Sequence, residues 1–223
     1  MELDAYFEMA SLEKSHWWFV GRRRVLKAVI RELHSKPDIK ILELGAGTGG
    51  NYELLAKYGA VTAIEMNDTA RAIFQSRFER ADVRSGMLPD NLPLGPEDEF
   101  DLVCMFDVLE HIEDDLATLK VVKSKIKRDG VLLITVPAYQ ALFGPHDEAH
   151  HHKRRYEYIE LKERLNQAGF VVEKLSFMNM TLLPVALAAR VVDKFLKLTK
   201  GSGSEMPPAP LNTLLGGIFG AEA

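Results

Sequence analysis

Short apolar runs alternate along the chain with longer stretches in which apolar residues recur every three or four positions. The runs are typical of buried strands, and the stretches are typical of helices with one apolar face. The runs predict strands over residues 39–44, 61–65, 82–84, 100–106, 131–136 and 170–177. The stretches predict helices over residues 16–33, 51–58, 68–78, 112–126 and 158–168, with Gly130 stopping the fourth.

Strands that alternate with helices of this length predict an α/β fold, in which a doubly wound parallel sheet is covered by helices on both faces. In such Rossmann-like sheets, ligands bind beyond the carboxyl ends of the strands, where the strand order reverses. We therefore expect the functional residues in the loops after Leu44, Ile64, Phe106 and Val136.

Composition and charge narrow the class of protein. The 223 residues are 47% hydrophobic and 27% charged, as in ordinary globular proteins, and the net charge of −4 argues against a nucleic-acid binder. The single cysteine, Cys104, lies in an apolar run and is expected to be buried. Glu2 and Asp4 precede no leader-like apolar segment, and no run approaches the roughly 20 residues of a membrane span, so we expect a cytoplasmic protein.

The strand at 39–44 runs directly into a glycine-rich turn, ILELGAGTGG at residues 41–50. Gly45 and Gly47 allow a tight turn into a helix and a close approach of backbone to a ligand. Glu65, about twenty positions after Gly45, can accept hydrogen bonds from both ribose hydroxyls, which indicates an adenosine-containing cofactor. Glu43 would repel the diphosphate of a dinucleotide but suits a cationic cofactor without phosphate, such as S-adenosylmethionine.

At this point the sequence resembles the class I S-adenosylmethionine-dependent methyltransferases, in the small-molecule group related to the ubiquinone-biosynthesis enzymes. The resemblance runs from about His16 to about Phe177 and rests on LELGAGTG, AIEMN, FDLVCMFDVLEHIEDD, DGVLLITVPA and HHKRRY, with HWWFVGRRR also similar to bacterial members. It implies a mostly parallel sheet of six to seven strands, the seventh antiparallel. No β-rich run follows Phe177, and the chain ends in an apparent helix.

The resemblance also implies a cofactor site. The loop of residues 45–49 would hold the methionine part of S-adenosylmethionine, and Glu65 would hold the ribose. Family members often place an aspartate after the third strand to contact adenine, whereas this chain has Met87, which could pack on the adenine face. The predicted cofactor contacts are Glu43, Gly45, Ala46, Gly47, Gly49, Glu65, Met66, Met87, Phe106 and Asp107.

Methyl transfer needs alignment, a dry pocket and sometimes a base, so no catalytic residue is obligatory. The candidates are His152, His111 and Asp107. Asp107 and His111 are spaced to share a helical face, although each could be purely structural. In the loop 137–156, which is rich in titratable residues, His152 or His146 could serve as base, and His152 is the one counted among the catalytic candidates.

The same loop supplies candidate contacts to an acceptor. Arg154 and Arg155 could grip an anionic group, although the basic run could also be a solvated face. A metal site is disfavoured because adjacent histidines point different ways and no well-spaced carboxylate partner is evident. The predicted acceptor contacts are Trp18, Arg22, His146, Arg154, Arg155 and Tyr156.

These assignments predict three parts of the chain. Residues 1–36 form a helical cap or lid, residues 37–178 form the domain that binds S-adenosylmethionine, and residues 179–223 form a helical extension. The apolar segment 181–198 could form a wall for the acceptor, lie on a membrane surface or mediate a homodimer, and a flexible linker follows at 201–204.

The predicted function is methyl transfer from S-adenosylmethionine to a small-molecule acceptor, which can be anionic or lipid-linked, with S-adenosylhomocysteine as product. Two alternatives stay open. A nicotinamide-dependent oxidoreductase on a similar fold is disfavoured by Glu43, and an inactive scaffold subunit is disfavoured by the intact glycines and Glu65.

Overall fold

Five strands form one parallel sheet in the computed structural model, which describes residues 3–33, 38–185 and 206–223. The strands are β1 (Ile39–Leu44), β2 (Gly59–Glu65), β3 (Asp82–Ser85), β4 (Phe100–Phe106) and β5 (Ile126–Thr135). Their order is β3-β2-β1-β4-β5, and every pairing is parallel. The order reverses between β1 and β4, which places the expected binding crevice at their carboxyl ends.

The described residues also form α-helices and two short 3₁₀ turns, the turns at Leu109–His111 and Gln140–Leu142. The helices are α1 (Leu3–Leu12), α2 (Trp17–Leu33), α3 (Tyr52–Leu55), α4 (Asp68–Arg77), α5 (Asp115–Lys123), α6 (Pro145–Ala149), α7 (Tyr158–Gln167) and α8 (Ala209–Gly220). Asn67 caps the N-terminus of α4, since its side chain accepts a hydrogen bond from the Ala70 N–H.

The described residues form two compact units. One contains residues 3–10 and 38–175, and the other contains residues 11–33, 176–185 and 206–223. The core of the first unit is built from the inner faces of β1 and β4 together with the apolar sides of α5 and α7. The predicted domain limits after residues 36 and 178 stay predictions.

The prediction of six to seven strands is wrong for the described residues, which contain five. Residues 170–177, predicted as the sixth, form no strand. Phe170, Val172 and Leu175 nevertheless pack against the core. The apolar pattern of this segment indicates that one side of it is buried. The segment does bury these side chains, but its backbone pairs with no strand of the described sheet.

The predicted helix over 112–126 is also too long, because α5 ends at Lys123 and Ile126 begins β5. Gly130, predicted to stop that helix, lies inside β5. A Cβ atom there would stand 2.7 Å from the carbonyl oxygen of Phe100, and the pairing of β4 with β5 shifts register beside Phe100. The glycine therefore permits a close approach of two strands at a bulge.

In the second unit, α2 packs directly on α8. A Cβ atom at Gly21 would meet the Phe219 ring at 2.6 Å, and the Trp18 ring centroid lies 5.3 Å from that of Phe219. Asn212 accepts a hydrogen bond from the Trp17 N–H and donates one to the Ser15 carbonyl. The predicted helical end of the chain is confirmed by α8.

None of the described helices is long and apolar enough to cross a membrane. The predicted linker 201–204 and most of the apolar segment 181–198 lie outside the described residues.

Candidate active site

The loop after β1 has a backbone conformation that favours glycine. Gly45, Gly47 and Gly49 have φ values of 68°, 55° and 86°. A Cβ atom at Gly45 would lie 2.5 Å from Val108 Cγ2, and one at Gly49 would lie 2.7 Å from the Phe74 ring. The loop is thus held between the segment after β4 and helix α4, as the sequence predicts for a ligand-binding turn.

Backbone hydrogen bonds fix this loop to the neighbouring strand. The N–H groups of Gly45 and Ala46 donate to the Ile64 carbonyl at 2.8 and 3.1 Å. Arg77 donates to the Thr48 carbonyl at 2.7 Å, and Thr48 is fully buried. A loop positioned in this way is organised before a ligand arrives, which lowers the entropic cost of binding.

Glu65 joins the loops that follow β1 and β2. Its side chain is 7% exposed, and it accepts hydrogen bonds from the Gly47 N–H at 2.9 Å and the Asn67 N–H at 2.8 Å. Each bond uses a different carboxylate oxygen, and a carboxylate oxygen can accept more than one hydrogen bond. Glu65 is therefore placed to receive the two hydroxyls of a ribose while it holds the glycine loop.

Glu43 brings negative charge to the centre of the sheet. It is 1% exposed, lies opposite Cys104 in the register of β1 and β4, and accepts a hydrogen bond from the Asn51 side-chain amide at 3.0 Å. Burial, and then the charge of Glu43, hold the pKa of the Cys104 thiol well above its usual value. Such a carboxylate attracts a cationic ligand group at the switch point of the sheet.

Two exposed methionines lie at the same edge of the sheet. Met66 follows β2 and is 64% exposed, and Met87 follows β3 and is 46% exposed. Glu65 pairs with Ser85 in the register of these strands, so the two methionines follow positions that are neighbours in the sheet. The predicted packing of Met87 on adenine and the predicted cofactor contact of Met66 stay predictions.

Helix α1 reaches the glycine loop, which sequence reasoning did not foresee. The Met9 methyl carbon lies 3.4 Å from the position of a Cβ atom on Gly47. Burial, and then the charge of Glu65, raise the pKa of Tyr6. The residues of α1, LDAYFEMASL, carry no motif that assigns them to a site, so only the folded chain reveals Tyr6 and Met9.

Asp107 lies at the carboxyl end of β4, directly after the buried Phe106. Its φ is 56°, a conformation that aspartate tolerates better than most residues. Its N–H donates to the Thr135 carbonyl, and its side chain accepts a hydrogen bond from the Thr135 hydroxyl, both at 3.0 Å. Unusual backbone at a strand end is typical of functional sites.

Four histidines gather beyond β4 and β5 in what we call the histidine cluster, consisting of His111, His146, His150 and His152. The rings of His111 and His152 stand edge to face with centroids 4.7 Å apart. Burial, and then repulsion from His152, lower the pKa of His111 to about 4. Burial, and then repulsion from His146, lower the pKa of His150 to about 4. Both imidazoles are therefore neutral at pH 7.

A fully buried carboxylate, Asp147, orients one member of the histidine cluster. It lies 2.9 Å from His152 Nδ1 and accepts hydrogen bonds from Arg155 Nε at 2.9 Å and the Gly144 N–H at 3.0 Å. Burial tends to raise the pKa of Asp147, but these hydrogen bonds outweigh it and the pKa lies below its usual value. An ionised Asp147 keeps a proton on Nδ1 of His152, which leaves the Nε2 lone pair for another partner.

The predicted acceptor contacts occupy different surroundings. Arg155 binds Asp147, whereas Arg154 binds Asp115 at 3.2 Å and the Glu113 carbonyl at 3.0 Å. Tyr156 is 2% exposed, and its hydroxyl donates to Asp115 at 3.1 Å. An anionic acceptor would have to compete with these carboxylates for the arginines.

The remaining predicted contacts lie at two places. His146 belongs to the histidine cluster, with its ring centroid 4.4 Å from that of His150. Trp18 and the buried Arg22 belong to the second unit. All six acceptor assignments stay predictions.

Comparisons with known proteins match this geometry. A family model described as a methyltransferase domain matches residues 19–175. A Mycolicibacterium smegmatis protein named "Probable S-adenosylmethionine-dependent methyltransferase" is 30% identical over 166 residues, which are 73% of this chain and 62% of that protein. A ubiquinone biosynthesis O-methyltransferase of Actinobacillus pleuropneumoniae is 33% identical over 104 residues, which are 43% of this chain and 44% of that protein.

Solved structures agree on the fold. A chain in the complex of the Trm112 methyltransferase activator with a methyltransferase of Haloferax volcanii aligns with a TM-score of 0.63 and 20% identity, covering 80% of this chain and 79% of that chain. The present chain spans about three fifths of the length of the first curated relatives that it matches.

Proposed function

The chain belongs to the methyltransferase-domain family, and we propose from this premise that it transfers a methyl group from S-adenosylmethionine to a small-molecule acceptor. The family predicted from the sequence and its cofactor are thereby confirmed. The acceptor, the reacting residues and the activity of the whole protein are the subject of the proposal.

The observation that carries the proposal is the position of Glu65 between two loops. Because Glu65 accepts hydrogen bonds from the Gly47 and Asn67 N–H groups, the ribose acceptor and the glycine loop form one rigid unit. Glu43 adds buried negative charge at the reversal of strand order, where the methionine part of the cofactor would bring its ammonium and sulfonium charges. A dinucleotide would place a diphosphate against that charge.

The acceptor would then lie beyond β4 and β5, beside Asp107 and the histidine cluster. A lone pair of the acceptor attacks the methyl carbon, the bond from carbon to sulfur breaks, and its electrons stay on sulfur as S-adenosylhomocysteine leaves. The acceptor loses a proton in the process. His152 remains the predicted base, because Asp147 fixes its Nδ1 and leaves Nε2 to take that proton.

A hydroxyl-bearing acceptor is supported by one relative, which is named for O-methylation in ubiquinone biosynthesis. The crowding of Arg154 and Arg155 by carboxylates gives less support to an anionic acceptor. We therefore propose a neutral hydroxyl compound, with or without a lipid tail, as the acceptor.

Transfer of a labelled methyl group tests the proposal. S-adenosylmethionine with a tritiated methyl group is offered with hydroxyl and amino compounds, each with and without a lipid tail. We expect label in a hydroxyl compound, and His152→Ala should lower turnover by about 100-fold or more with little change in S-adenosylhomocysteine affinity.

The exposed neighbour His151 provides the control, since His151→Asn keeps a residue that tolerates its φ of 58°. Cofactor binding without transfer to any acceptor would favour the scaffold alternative. Unchanged turnover in His152→Ala would show that the base lies elsewhere.

A further inference from the structure

A buried carboxylate and two imidazoles converge where the histidine cluster meets the turn after β4. Glu110, His111 and His152 each place a ligand atom within 4.8 Å of the ligand atoms of the other two. Glu110 is fully buried, and both histidines are partly buried. The sequence disfavoured a metal site because no carboxylate partner was evident in the loop 137–156, and Glu110 reaches the loop from a different segment.

The backbone holds these three residues together. Glu110 and His111 are neighbours in the 3₁₀ turn Leu109–His111, which follows β4 at the switch-point side of the sheet. The Lys153 N–H donates to the Glu110 carbonyl at 2.7 Å, and this bond ties the segment that carries His152 to that turn. The group therefore depends on main-chain contacts as well as on side-chain rotamers.

The surroundings of His152 are typical of a metal-binding histidine. Its Nδ1 is bonded to Asp147 at 2.9 Å, so Nε2 is the atom that can bind a cation. Asp147 is itself fixed by Arg155 and by the Gly144 N–H. A carboxylate that orients the second ring nitrogen is the usual outer partner of a ligating histidine.

We propose that Glu110, His111 and His152 bind one divalent transition-metal cation. Two imidazoles and one carboxylate suit Zn²⁺, Fe²⁺, Co²⁺ or Mn²⁺, whereas Ca²⁺ and Mg²⁺ prefer all-oxygen ligands. Three protein ligands leave at least one coordination position open for water or an acceptor oxygen.

The consequence for the reaction rests on the proposed function. A cation at this position lies beside Asp107 and the expected acceptor, and it would lower the pKa of an acceptor hydroxyl that it coordinates. His152 Nε2 would then act as a ligand, and the hydroxyl proton would pass to water before the oxygen attacks the methyl carbon. His152 is thus a ligand here and a base in the mechanism without metal. Loss of Glu110 separates the two roles, because only the metal site includes that carboxylate.

Direct metal binding tests the site. The full chain without an affinity tag is stripped with a chelator, dialysed against buffered Zn²⁺ or Mn²⁺, and analysed for bound metal by mass spectrometry. We expect one equivalent per chain, and Glu110→Gln and His111→Gln should each weaken binding at least 10-fold. His151→Asn, in the same loop but outside the group, should bind as the unchanged protein does.

Circular dichroism and thermal unfolding check that each variant is folded. Co²⁺ substitution gives a second readout, since ligation by imidazole nitrogen should produce visible absorption that Glu110→Gln alters. Absence of saturable binding, or equal binding by Glu110→Gln, would overturn the site. Calorimetry with S-adenosylhomocysteine on the metal-free chain keeps the two proposals apart, because cofactor binding without metal binding removes only this inference.

Discussion

At the scale of single residues, the site depends on carboxylates with more than one task. Glu65 is predicted to hold the ribose and is observed to hold the glycine loop, so a substitution affects binding through both. Asp147 orients His152 through a direct hydrogen bond and is itself held by Arg155 and the Gly144 N–H. Buried charges of this kind persist because several hydrogen bonds satisfy them.

Glu65→Ala should weaken S-adenosylhomocysteine binding by about 1–3 kcal/mol, because the ribose hydroxyls and two backbone N–H groups lose their acceptor. Calorimetry measures the change. Glu79→Ala, which removes an exposed carboxylate from the turn after α4, is the matched control and should bind normally. Wild-type affinity in Glu65→Ala would show that the ribose lies elsewhere.

The sequence located part of this site and missed the rest. Glu43, the glycines and Glu65 are predictable because each lies at the carboxyl end of a recognisable apolar strand or directly after it. Tyr6 and Met9 are not, because they reach the site by folding and α1 carries no motif. Glu110 lies within the motif FDLVCMFDVLEHIEDD, but the sequence alone gives no role to this residue. The contributions of all three become visible only when distances and burial are known.

At the scale of elements, prediction from sequence succeeds for strands that are buried on both faces. It fails where apolar residues are buried but the backbone does not pair in the sheet. The limits of β1 and β4 are confirmed, since each largely buried strand is followed directly by glycine or aspartate. The predicted helix over 112–126 fails because the apolar stripe of α5 continues into β5 without a change in composition. The predicted strand over 170–177 fails because it packs without pairing.

Two glycines of the second unit should respond oppositely to the same substitution. Gly21→Ala forces a methyl group into the Phe219 ring at 2.6 Å between α2 and α8, and should lower the free energy of unfolding by about 1–3 kcal/mol. Gly217→Ala adds a methyl group with nothing within 4 Å at an exposed position of α8, and should raise the free energy of unfolding by about 0.5–1 kcal/mol. Urea denaturation measures both. Equal effects would contradict the packing of α2 on α8.

At the scale of the whole molecule, a buried cysteine in the centre of the sheet can report transient unfolding of the first unit. Cys104 is the chain's only cysteine, lies fully buried in β4, and has a pKa raised by burial and then by Glu43. A thiol reagent can reach it only when the first unit opens. Ligand binding should therefore slow the reaction of the Cys104 thiol with such a reagent.

S-adenosylhomocysteine should slow the labelling of Cys104 in the native protein. At a concentration of 100 times Kd the ligand stabilises the folded state by about 2.7 kcal/mol, which corresponds to about 100-fold slower labelling when closing is fast. A disulfide reagent with optical readout measures the rate, and NAD at the same concentration is the control. Rapid labelling without denaturant would contradict the burial of β4.

Calorimetric titration of the full chain with S-adenosylhomocysteine, with NAD titrated under the same conditions, tests the central claim most directly. The account predicts saturable one-to-one binding of S-adenosylhomocysteine and no binding of NAD, because Glu43 suits the ammonium group of the first ligand and repels the diphosphate of the second. Binding of NAD in place of S-adenosylhomocysteine would contradict the account.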